Sequence, residues 1–230
     1  MDPWFRAPGK LKVLAGLLTW AWPEHPWPTV FDESEEDTLQ LRLRDLAGWG
    51  WRDYQVDAVA ALVKAPLGRG IAAVGTGGGK TRIAWGLAYV VGGDWLYVVH
   101  GKDLVRQAGE EFTSFMKPLK LTQKLAWSIS PHGWARAPVG AGDLAGIIVD
   151  ECHQCAARSR AQALASFRGG YRVGMSGSAL DRTDARNSMT VGLLGPMAAN
   201  ISVEQLTGGG HLTPGVVRIV NLPDEPKGRE

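Results

Sequence analysis

One glycine-rich loop constrains this chain more than any other feature. The apolar run Ile71 to Val74 leads into Gly75-Thr76-Gly77-Gly78-Gly79-Lys80-Thr81, and a helical pattern then continues to Val91. Only glycine lets a backbone approach a bound group so closely. The loop's N–H groups point inward, and the N-terminus of the following helix adds positive potential. A strand-to-helix loop of this composition wraps phosphates. Lys80 reaches the β- and γ-phosphates of a nucleotide, and the Thr81 hydroxyl holds Mg²⁺. Strand, glycines, Gly-Lys-Thr and helix in this order leave a flexible turn with an incidental Lys-Thr as the poorer account. The expected ligands are ATP and Mg²⁺.

From about Arg52 onward, short apolar runs alternate with helical patterns, which predicts βαβ units and a mostly parallel sheet. The predicted strands are Ile71 to Val74, Trp95 to Val99, Gly146 to Val149 and Tyr171 to Met175, with helices over Tyr54 to Val63, Lys80 to Val91, Lys102 to Phe115 and Ala156 to Phe167. Ligands of such α/β sheets bind outside the carboxyl ends of the strands. A length of 230 residues allows one such domain and a small appendage. With 45% hydrophobic and 21% charged residues, disorder and fibres are excluded. The net charge of +2 tolerates a nucleic-acid partner without pointing to one, because the footprint is a clustered basic face rather than a total.

Residues 1–48 differ in texture, with Trp and Pro punctuation, an acidic turn at Asp32 to Asp37 and alternation over Thr38 to Leu43. They read as a small β-rich appendage. Residues 49–214 form the main domain, and residues 215–230 a tail or linker. The apolar stretch Val13 to Trp22 is too short to span a bilayer and ends in Trp22-Pro23, where a signal peptidase needs small residues. Two cysteines make no disulfide framework, which fits a reducing, cytoplasmic compartment.

Downstream of the glycine loop, Gly146-Ile147-Ile148-Val149 ends in Asp150-Glu151-Cys152-His153. A carboxylate at a strand end beside a phosphate loop is placed to hold Mg²⁺ through water, and its neighbour can polarise the attacking water. Asp150 is the expected metal partner and Glu151 the base. The spacing Cys152-His153-Gln154-Cys155 also matches half a zinc site, but no second such pair exists.

Together these residues resemble superfamily 2 helicases, where Asp-Glu-Cys-His is similar to motif II of the DEAD, DEAH and DECH proteins. The resemblance covers about Leu46 to Pro214 and implies a RecA-like phosphate-loop NTPase domain with helices on both faces of its sheet. The strict phosphate-loop pattern wants glycine where Val74 stands, a position at which this superfamily is lax. Trp51-Arg52-Asp53-Tyr54-Gln55 resembles the adenine-reading element, implying that Gln55 bonds the base edge and that Arg52 or Tyr54 packs near it. His100-Gly101-Lys102 resembles motif Ia, which contacts the nucleic-acid backbone. Ser176-Gly177-Ser178 and its continuation to Asp184 resemble motif III, whose hydroxyls couple ATP state to domain motion, and His153 is expected to bridge motifs II and III.

In such motors ATP sits between two RecA-like domains, and the second supplies arginine fingers worth about 10³ to 10⁵ in turnover. After Ser202 to Leu206 only a short stretch remains, so a second domain is expected in a longer chain or a separate subunit, and hydrolysis by these residues alone is expected to be slow. The resemblance implies DNA, single- or double-stranded, as partner, and a role in phage or bacterial DNA metabolism in the bacterial or host cytoplasm. The alternative is a non-catalytic ATP- or DNA-binding module derived from a helicase. A phosphate-loop kinase fits less well, because neither the adjacent Asp150-Glu151 nor the Ser176-Gly177-Ser178 loop belongs to one.

Overall fold

The computed structural model describes residues 33–99, 101–117, 125–128, 144–167, 170–178 and 186–215. Its strands are β1 (Arg69–Val74), β2 (Asp94–Val98), β3 (Leu125–Ser128), β4 (Leu144–Val149), β5 (Tyr171–Ser176) and β6 (Met197–Ile201). They form one sheet in the order β3-β2-β4-β5-β1-β6, and each pairing is parallel. The helices are α1 (Glu33–Gly48), α2 (Asp53–Val63), α3 (Lys80–Val91), α4 (Lys102–Met116), α5 (Arg158–Ser166), α6 (Arg186–Leu194) and α7 (Val203–Gly208).

Period-two alternation splits each central strand between two cores. Ala72, Val74, Trp95, Tyr97, Ile148, Val173 and Met175 pack in one layer with Leu46, Leu62, Ile83, Leu87 and Phe112 of α1 to α4. Ile71, Ala73, Leu96, Val98, Ile147 and Val149 face the other way, onto Leu164 of α5 and Leu193 and Leu194 of α6. Both faces are therefore covered, which is why the central strands read as continuous apolar runs. This is the α/β architecture expected, with helices on both faces of a parallel sheet.

The reading of residues 38–43 as a strand in a β-rich appendage is overturned, because they lie inside α1. Leu39, Leu43 and Leu46 recur at helical spacing and are buried, whereas Leu41, which strand alternation would bury with them, is 60% exposed. The supposed acidic turn supplies the first turn of this helix, where carboxylates meet the positive end of the helix dipole. Helix α1 also belongs to the main core. Arg42 Nη1 donates to Val90 O at 2.9 Å, satisfying a carbonyl at the end of α3, and Tyr89 Oη donates to Asp45 Oδ2 at 2.7 Å. The expected boundary at 48 thus falls at the end of a helix packed into the domain; residues 1–32 of the appendage and 216–230 of the tail lie outside the described residues.

Candidate nucleotide site

The sheet order brings three loops together. Strands β4, β5 and β1 are neighbours, so the acidic pair after β4, Ser176-Gly177-Ser178 at the end of β5 and the glycine loop after β1 stand side by side at the carboxyl edge. Adjacent strands are about 4.8 Å apart, so a lysine at the β1 end can reach across β5 to a carboxylate at the β4 end.

The glycine loop is fixed by short backbone bonds: Gly78 N donates to Gly75 O at 2.9 Å, and Gly75 N donates to Ile201 O of β6 at 2.8 Å. Gly77 and Gly79 have φ of 81° and 83°, the left-handed region that side chains disfavour. Space forces the same residue type, since a Cβ on Gly79 would lie 2.6 Å from Gln55 Nε2 and one on Gly78 2.7 Å from Val74 Cγ1. The latter contact accounts for the departure at Val74: its buried side chain lies in the core beneath the loop.

Arg52, Tyr54 and Gln55 are gathered against the same loop. Tyr54 Oη donates to Gly78 O at 3.0 Å, Gln55 Nε2 donates to the same carbonyl at 3.3 Å, and Gln55 Oε1 accepts from Arg52 N at 3.3 Å. Gln55 is buried and both ends of its amide are engaged, so in this arrangement it braces the loop. Arg52 Nη1 donates to Tyr54 Oη and to His211 O, and the His211 ring stands 5.0 Å from that of Tyr54. Tyr54 and His211 also border a cavity of about 430 Å³ between α2, β6 and α7.

Lys80 Nζ meets Glu151 Oε1 at 2.9 Å. Glu151 adopts φ 49°, ψ 49°, an uncommon conformation for a residue with a side chain and one that concentrates at functional sites. His153 Nδ1 lies 3.3 Å from Glu151 Oε2 and 3.1 Å from Ser176 Oγ, and Ser178 N donates to Ser176 Oγ at 3.3 Å. The contact expected between His153 and Ser176 is therefore present. A Cβ on Gly177 would lie 3.7 Å from Lys80 Nζ, which places this loop against the lysine. Burial raises the Asp150 carboxyl above its ordinary range, with the nearby Lys80 ammonium pulling it back.

Tyr97 of β2, a residue for which sequence reasoning found no role, is buried with its ring 4.7 Å from that of Trp85 on α3. Gly101, at φ 128°, precedes α4, which Lys102 begins. His100 and the continuation of motif III at 181–184 lie outside the described residues. Cys152 and Cys155 are buried, and burial raises both thiols, so they pack as apolar groups. Among the described residues no three His, Cys, Asp or Glu side chains converge on a metal position.

Comparison with known proteins bears on the fold. Residues 49–129 match the family model described as type III restriction enzyme, res subunit. A curated relative, the DNA 3'-5' translocase XPB2 of Sulfurisphaera tokodaii, is 27% identical over 168 residues, covering 68% of this chain and 37% of its own. Among solved structures, the Pyrococcus furiosus Hef helicase domain superposes with a TM-score of 0.53 at 20% identity, over 69% of this chain and 38% of that one. The UvsW helicase of bacteriophage T4 gives 0.51 at 21% identity, over 64% and 58%. The fold is that of a helicase RecA-like domain, and these matches support a first RecA-like domain of the superfamily 2 helicase and translocase type. It spans less than two thirds of the length of each of these relatives.

Proposed function

We propose that this chain is the ATP-binding motor domain of a DNA helicase or translocase, and that on its own it turns ATP over slowly. The observation that carries the reading is the Lys80–Glu151 contact across β5, which joins a phosphate-binding ammonium to a candidate base beside a glycine cradle. Backbone N–H groups of the glycine loop other than those of Gly75 and Gly78, which are bonded to Ile201 O and Gly75 O, would receive the phosphates. Lys80 would exchange Glu151 for the β- and γ-phosphates, and Glu151, freed of its partner, would take the proton of the attacking water. Arg52, Tyr54 and Gln55 would meet the base.

Thr81 and Asp150 would hold Mg²⁺, whose role when bound is to neutralise charge on the phosphate oxygens. The donors fit that ion. Burial makes an ionised Asp150 costly, and a cation supplies the counter-charge that burial calls for. His153, Ser176 and Ser178 form the hydroxyl and imidazole link between the acidic pair and β5, and their proposed part is to transmit nucleotide state.

His100, Gly101 and Lys102 are the proposed contacts to the DNA backbone, at the entrance to α4. The DNA assignment follows the relative whose name describes it as a DNA translocase. A second RecA-like domain, in a longer chain or a separate subunit, is the proposed partner that completes the site. The test is binding of a fluorescent ATP analogue alongside ATP hydrolysis with and without single- and double-stranded DNA. Binding with slow turnover is expected, and absence of binding with Lys80 intact would sink the reading.

A further inference from the structure

Helix α7 runs out in Gly208-Gly209-Gly210, and the chain then turns back. Gly210 takes φ 70°, a conformation that side chains disfavour, and His211 N and Leu212 N both donate to Leu206 O, at 2.8 and 3.1 Å. That turn sets two successive side chains against the nucleotide site. Leu212 lies over the glycine loop, where a Cβ on Gly77 would meet its Cδ2 at 2.8 Å. The His211 ring lies 5.0 Å from that of Tyr54 with the planes 55° apart, and the His211 carbonyl accepts from Arg52 Nη1 at 3.3 Å.

Apolar packing accounts for Leu212. His211 asks for more, because its half-buried ring borders the cavity of about 430 Å³ that Tyr54, Asp57, Asn200 and Gln205 also line. That volume falls within the roughly 300–1,000 Å³ of small-ligand sites. The Tyr54 hydroxyl is tied to Gly78 O, so a group held against its ring lies beside the phosphate loop. Gln55 has both ends of its amide engaged, so the residues proposed to meet the base offer it a ring before they offer an amide. Two rings in contact at 55° leave no slot between them. They form a corner, in which a flat group stacks on the face of one ring and meets the edge of the other, the two arrangements that aromatic groups prefer.

We propose that His211 is a specificity-determining residue: with Tyr54 it makes the corner that takes the nucleobase, so that the turn after α7 selects purine over pyrimidine nucleotides. The proposal rests on the ATP reading above. Loss of one base–aromatic stack weakens binding by about fivefold or more, and the larger purine ring has more to lose. The phosphates are gripped by other groups, the glycine loop and Lys80. His211 therefore acts on the base alone.

The experiment is calorimetric titration of the full chain with ATP, CTP and inorganic tripolyphosphate, each with Mg²⁺, for wild type, His211→Ala and His211→Phe. Arg52 bonds the His211 carbonyl and backbone bonds hold the turn, so neither substitution removes these contacts. His211→Ala should weaken ATP by about fivefold or more, weaken CTP less, and leave tripolyphosphate within about twofold of wild type. His211→Phe keeps a ring and should bring ATP back to within about threefold of wild type. Unchanged ATP affinity in His211→Ala, equal losses for ATP and CTP, or no recovery in His211→Phe overturns the proposal. An equal loss for tripolyphosphate overturns it too, and would mean that the ring only props the glycine loop through Tyr54. A wild-type chain that binds ATP no better than tripolyphosphate overturns this proposal and leaves the phosphate site standing, whereas one that binds neither overturns the ATP reading as well.

Discussion

Lys80 and Glu151 hold each other across a site that is half open to solvent, with side chains 21% and 41% exposed, so the pair contributes little to stability and its position is what matters. Lys80→Ala removes the group proposed to reach the phosphates, and analogue binding should fall below detection. Glu151→Gln keeps an oxygen that Lys80 can contact but removes the proton acceptor, so binding should persist while turnover falls by about 10²-fold or more. Equal loss of binding in both variants would refute the two roles. At this scale the sequence was legible wherever a function needs residues close together in the chain: Gly75 to Thr81, Asp150-Glu151 and Ser176-Gly177-Ser178. It was silent on contacts between distant segments. Nothing local to His211 shows that its ring stands against that of Tyr54.

Among the elements, the central strands β1, β2, β4 and β5 could be read because burial on both faces makes each a continuous apolar run. The flanking strands β3 and β6 could not. Met197-Ala198-Ala199-Asn200-Ile201 lies at the sheet edge, largely half-buried, and carries a single β-branched residue. Helix α1 was misread because Leu39 and Leu43 satisfy both periods at once, being two steps of alternation and one of i to i+4. The register of β1 on β5 also sets Arg69 opposite Arg172, each about 4% exposed, at the amino edge of the sheet. Arg172 donates to Phe167 O, but its Nε and Nη1 have no hydrogen-bond partner. Burial, with Arg69 adding to it, lowers its guanidinium to about 10. A cation whose folded pKa lies below its unfolded value destabilises the fold at every pH below about 10, and relief comes only as pH climbs from there toward the unfolded value. Arg172→Met should therefore stabilise the domain at neutral pH. Removing the buried charge is worth on the order of 2–3 kcal/mol, and the donor lost to Phe167 O costs about 1 kcal/mol, which leaves a net gain of about 1–2 kcal/mol. Urea unfolding checks this, and a destabilised variant would mean that the guanidinium is better compensated than its contacts show.

On the scale of the whole molecule, the described site faces outward from the carboxyl edge of the sheet. The groups proposed to bear on the phosphates come from the loops after β4, β5 and β1, which are adjacent strands. On the proposed reading a second RecA-like domain would close over that edge and supply the site's other wall. Arginine fingers contribute about 10³ to 10⁵ in turnover in phosphate-loop enzymes, through charge stabilisation that operates only in the transition state. The consequence is a specific split: these 230 residues should bind ATP nearly as well as a two-domain form, yet turn it over about 10³-fold more slowly. Joining a second RecA-like domain, in the same chain or as a separate one, should restore turnover and make it depend on DNA. That dependence should weaken steeply with salt, because contacts to the DNA backbone release counterions. Steady-state hydrolysis at two salt concentrations, with and without DNA and the second domain, tests each part. Brisk, DNA-stimulated turnover by the 230 residues alone, with size-exclusion chromatography showing a dimer, would place the second wall on another copy of this chain. The same turnover from a monomer would put the missing cation within the chain itself.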